Sequence, residues 1–117
     1  GRDDREAIEL GGRGPLYRVL GAKRVYSELA AAGDDTYKWY RMEAERIPEK
    51  ERADIEQMVE DAIVCVGGPE TCRQVIQRYC EQGIDQMIVM MQFALTPHEL
   101  VLDSIRRFGE KVIPYFR

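Results

Sequence analysis

Residues 83–93, GIDQMIVMMQF, decide the fold. Gly83 can stop an incoming helix, and the run Met87–Met91 (MIVMM) offers no polar position on either face. A strand apolar on both faces is the pattern of a parallel sheet covered on both sides, and such a strand needs neighbours. Upstream, PETCRQVIQRYCEQ carries a helical stripe at Cys72, Val75, Ile76, Tyr79 and Cys80; downstream, Pro97 opens a second helix. This helix–strand–helix rhythm predicts an α/β fold with a strand over about residues 86–92. In such folds the residues just past the strand face the functional side, here Gln92, Phe93, Ala94, Leu95 and Thr96.

Further out, helices dominate. Leu16, Val19, Leu20, Ala22, Val25, Tyr26 and Leu29 fall at helical spacing, with a stop expected at Gly33 and Asp34. Asp35 or Thr36 can cap a second helix, TYKWYRMEAERI, which Pro48 ends. Its aromatic residues Tyr37, Trp39 and Tyr40 read as helix packing rather than as a stacking platform for a flat ligand. A third helix, PEKERADIEQMVEDA, is expected to bury Ile55, Met58, Val59 and Ala62. AIVCVGGPE reads as a loop or very short strand, too brief for its period to decide. In the last helix, Ile105, Phe108, Val112, Ile113 and Phe116 form the expected buried stripe. Residues 1–14 are polar and end in the turn-forming GGRGP, so they are expected to be a flexible N-terminal arm, with the folded region over 15–117.

The chain of 117 residues has room for one modest core, and its 44% hydrophobic and 32% charged composition is ordinary for a globular domain. A net charge of −4 leaves no surplus of Lys and Arg to neutralise phosphates, which argues against nucleic acid as a partner. No apolar run reaches membrane-spanning length and the first residues lack a signal peptide's apolar stretch, so no membrane partner and a cytoplasmic location are expected. Cys65, Cys72 and Cys80 match neither a CxxC pair nor a zinc knuckle, and read as buried reduced thiols with no metal.

From Val66 onward the chain resembles the C-terminal end of luciferase-like flavin-dependent monooxygenases. The residues that carry the resemblance are VGGPE at Val66–Glu70 opening a helix, Gly83-Ile84-Asp85 leading a strand, and the closing PHELVLDSIRRFGEKVIP from Pro97 to Pro114. The resemblance implies an oxidoreductase that uses reduced FMN, or a deazaflavin in some branches, with dioxygen to act on a small organic substrate. It also implies the C-terminal segment of a (β/α)8 TIM-barrel-type fold. A barrel needs about 250 residues, so this chain is too short to close one alone. It is expected to act with the remainder of the barrel or as a homo-oligomer, and to bind no flavin by itself. The alternative is a non-enzymatic helical module for oligomerisation or subunit binding.

On that reading Gln92 could hydrogen-bond a polar flavin edge or substrate and Phe93 could wall the pocket, although both could equally pack beneath the closing helix. His98, the chain's single histidine, is a further pocket candidate; its place after Pro97 suits a solvent-facing or loop-pinning role better than a general base. Gly67 and Gly68, at a helix start, are the best local place for a phosphate. No catalytic residue can be named.

Overall fold

The computed structural model describes residues 1–32, 38–47, 54–93 and 96–116. The expected stop at Gly33 and Asp34, the cap at Asp35 or Thr36, Tyr37, the break at Pro48 with the first turn of the third helix, and Ala94 and Leu95 lie outside the described residues.

Six α-helices run through the described residues: α1 (Asp4–Gly11), α2 (Arg13–Ala32), α3 (Lys38–Arg46), α4 (Ile55–Glu60), α5 (Pro69–Cys80) and α6 (His98–Lys111), followed by a 3₁₀ turn, Ile113–Phe116. None is long and apolar enough to cross a membrane. The largest helix contact joins α2 to α3, where Tyr26 meets Trp39 and Tyr40 with ring centroids 5.7 and 5.5 Å apart. These edge-on and tilted geometries are those that aromatic quadrupoles favour. Lys23 closes the same hairpin by donating to the Ile47 carbonyl at 2.6 Å.

The α/β expectation is overturned: the described residues contain no strand. Residues 84–93 run without helix or strand pairing, and among the described residues no backbone hydrogen bond joins 84–92 to any other residue. The physical reason lies in what a strand requires. A helix satisfies its N–H and C=O groups within one segment, whereas a strand must exchange them with a second one, and none lies beside this run. The side chains stay exposed in consequence, Ile88 at 92%. The barrel segment implied by the family resemblance is corrected for the same reason.

The N-terminal arm expected over 1–14 is helical over Asp4–Gly11. Asp3 caps it by accepting from the Glu6 N–H at 2.8 Å, while Arg2 donates to Glu6 through its side chain. GGRGP does interrupt the helix, but only at Gly12; Pro15 lies in the first turn of α2, where its missing N–H leaves no bond unmade. Gly14 is required there by packing: a Cβ on it would come within 2.6 Å of the Cβ of Phe93.

α4 buries Met58 and Val59 and then stops in a Schellman turn, with Ala62 N–H bonded to the Val59 carbonyl and Ile63 N–H to the Met58 carbonyl. Ala62 takes the left-handed position of this turn at φ 56°, where glycine is usual. After α5, Gly83 supplies the positive φ of 82° itself, as its position past the stripe suggests. α6 is held on α5 by Arg73, whose Nε and Nη2 donate to the Lys111 carbonyl at 2.9 and 2.7 Å. That carbonyl belongs to the last turn of α6, which has no N–H of its own to offer it, and the cation suits the negative end of the helix dipole. The guanidinium also lies 4.9 Å from the ring centre of Tyr115. The buried face of α6 runs through Val101 and Val112, with Phe108 half-buried, whereas Ile105, expected in the core, is 48% exposed.

Candidate functional site

The segment 84–93 forms one wall of an open, largely apolar depression of about 700 Å³. Its opposite walls come from α2 through Arg18, Ala22 and Tyr26, from the loop 62–67, from α5 through Cys72 and Val75, and from α6 through Phe108. The volume is within the range of small-molecule sites, and the apolar walls with few polar groups match their usual lining. Charge enters through Arg18 and Arg107, the latter paired with Asp103 at 2.6 Å.

Gly67 lies in the lining and Gly68 is the N-cap of α5. The Gly68 N–H donates to Asp4 Oδ1 at 2.7 Å and the Thr71 hydroxyl donates to Asp4 Oδ2 at 2.9 Å. A carboxylate from α1 therefore rests at the positive end of α5, where the dipole and donors favour negative charge. The glycines permit the approach: a Cβ on Gly67 would meet Thr71 at 2.7 Å and Asp4 Oδ1 at 2.9 Å, and one on Gly68 would lie 3.1 Å from the Asp3 backbone. The phosphate position suggested by the sequence thus holds an anion, and that anion is the protein's own.

The other candidates separate. Phe93 lines the depression and packs against Gly14 of α2. Gln92 is exposed and its amide donates to the neighbouring Phe93 carbonyl at 3.1 Å. His98 is exposed at the start of α6, outside the lining. For a flavin these residues offer an apolar wall and an anion position, but Gln92 and His98 do not converge on them.

The cysteines are not buried as expected: Cys65 and Cys80 are exposed and Cys72 is half-buried. Cys65 and Cys72 both line the depression, and the influence of Cys72 pushes the Cys65 thiol up from its ordinary range. Cys72 Sγ also lies 3.7 Å from the Gly67 carbonyl. Among the described residues, no group of three or more His, Cys, Asp or Glu could hold a metal ion.

Two residues with structural roles escaped the sequence reading: Asp4 and Arg73. Asp4 had a signal, because Asp3 followed three residues on by Glu6, then Ala7 and Ile8, is a helix-start pattern. Arg73 had none, since its acceptor is 38 residues away. Compared with family models, with curated proteins and with solved structures, the chain matches none.

Proposed function

We propose that this chain is part of a luciferase-like flavin-dependent monooxygenase and contributes one wall of its flavin and substrate site. The observation that carries the reading is a juxtaposition: an anion-holding turn at Gly67–Gly68 opens onto an apolar depression walled by Phe93 and the segment 84–93. The residues of the resemblance, from Val66 to Pro114, supply part of this region, with α1, α2 and the loop 62–65 supplying the rest. Reduced FMN supplies the electrons with which dioxygen is activated to oxygenate an organic substrate. The chain's own residues would do simpler work. The Gly68 N–H and the Thr71 hydroxyl would hold the phosphate in place of Asp4, while Phe93 and the apolar walls would position a flat ring and exclude water. The rest of the site would come from further protein, in the same polypeptide or as another subunit.

FMN titration followed by flavin fluorescence tests this reading. The chain alone is expected to show no saturable micromolar binding, because Asp4 already satisfies the donors. Asp4→Ala should release them and produce binding that inorganic phosphate competes away. Micromolar binding by the unaltered chain would overturn the one-wall reading, and an Asp4→Ala variant with native helicity that ignores FMN would overturn the phosphate position.

The exposed run around Ile88 favours a second reading, a non-enzymatic subunit-binding element. Light scattering separates the two: this second reading requires association in which Asp4→Ala confers no flavin binding.

A further inference from the structure

Charge is unevenly distributed around the depression. Among the described residues no Asp or Glu lines it, although the chain carries 21 acidic residues against 17 basic ones. Its charged side chains are Arg18 and Arg107, and the two differ in what answers them. Arg107 is paired with Asp103 of its own helix at 2.6 Å. Arg18 is exposed, and among the described residues no ion pair or hydrogen bond engages its guanidinium. Helix geometry fixes what surrounds it. The residues of α2 that line the depression, Pro15, Arg18, Val19, Ala22 and Tyr26, recur at intervals of three and four and so form one stripe. At about 1.5 Å per residue the stripe is roughly 16 Å long, with the cation towards one end and apolar side chains running on beyond it. Residues 86–91 of the segment that also walls the depression carry no charge, and Asp85 just before them lies outside the lining.

We propose that this depression binds an apolar monocarboxylate, with its acid group on Arg18 and its hydrocarbon body along Val19 and Ala22 towards the run 86–91. A planar guanidinium donates two parallel hydrogen bonds to a carboxylate, which accepts both. Hydrocarbon burial supplies the affinity, and the arginine supplies the choice of head group, because a wall with an unanswered cation and no carboxylate of its own attracts anions and repels cations. Arg107 is not the acceptor's partner, since Asp103 already holds it. The inference deepens the proposed function by naming the class of substrate, and rests on that reading for the substrate role alone. Binding is measured without flavin, so a failed FMN titration leaves it standing, and its own failure leaves the phosphate position standing.

The test uses the full chain and three straight-chain probes of matched length, octanoate, 1-octanol and octyltrimethylammonium, followed by two-dimensional amide NMR below micelle formation. Octanoate is expected to bind tightest and the cation weakest, with shifts at residues 18–26 and 84–93. Arg18→Gln should weaken octanoate about fivefold and leave octanol unchanged, which separates loss of the head-group contact from loss of the fold. Added salt should narrow the gap between octanoate and octanol. Arg24→Gln, on the same helix but outside the lining and paired with Glu28 at 3.4 Å, should leave all three probes unchanged. No saturable octanoate binding, octyltrimethylammonium binding as tightly as octanoate, or an Arg18→Gln variant that keeps the octanoate preference or loses octanol equally would each overturn the proposal.

Discussion

Helix α6 and the segment 84–93 that leads towards it both carry apolar residues, more densely in the segment, yet they meet opposite fates. Val101 and Val112 of α6 and its C-cap are buried, Val112 to 2% exposure, and the helix end is tied to α5 through Arg73. In Met87–Met91 the side chains reach solvent and the backbone makes no bond with another described segment. The difference teaches that apolar character alone does not bury a segment. A helix arrives with its polar backbone already satisfied and only needs to dock one face; an extended run needs a partner for its backbone before burial is favourable. The run is left with an exposed apolar surface and an unpaired backbone.

The sharpest way to break the comparison is to remove equal apolar bulk from each kind of environment. Met58→Ala, at a residue 1% exposed, is expected to cost about 2–5 kcal/mol in urea unfolding through the cavity it leaves. Ile88→Ala should change monomer stability by no more than about 0.5 kcal/mol. A comparable loss at Ile88 would mean the segment is packed after all. Next in size, Arg73→Ala removes two charged hydrogen bonds from the α6 terminus and should cost about 1.5 kcal/mol, read from the same unfolding curves. Arg106→Ala, whose pair with Asp103 is 3.9 Å long and exposed, is the control and should be within about 0.5 kcal/mol of the parent.

A gain is expected at Ala62. Glycine there relieves the left-handed strain of the turn after α4, and Ala62→Gly should stabilise the chain by about 0.5–1 kcal/mol in thermal or urea unfolding. The smallest effect concerns acid. Hydrogen bonds from Arg2 hold the Glu6 carboxyl down at about 2, below its usual 4.5. A group with a lowered folded pKa stabilises above its unfolded value and loses that contribution as pH falls towards the folded one. Amide protection in α1, relative to the intrinsic rate at each pH, should accordingly fall between about pH 4.5 and 2, and Glu6→Gln should flatten that dependence.

Helices α2 to α6 were legible in the sequence because their apolar residues recur at the helical period and because Gly83 marks the end of α5, whereas α1 lay in a polar stretch expected to be a flexible arm. What sequence could not supply was the partner of each face. The MIVMM run states a need for strand neighbours, but the identity of the neighbour lies outside any local pattern. Ile105 follows the period of its helix and still faces solvent, because the side of α6 that docks is chosen by α5 and by Arg73, far away in sequence. At the candidate site, Gly67, Gly68 and Phe93 could be found from their places at element ends. The role of Asp4 depends on where α1 comes to rest.

The central claim is that residues 84–92 run exposed and without backbone pairing, and amide hydrogen exchange resolved over this segment tests it most directly. In dilute solution these amides should exchange at nearly unprotected rates while those of α5 and α6 remain slow. Protection of 84–92 as strong as that of α5 and α6 would contradict the account.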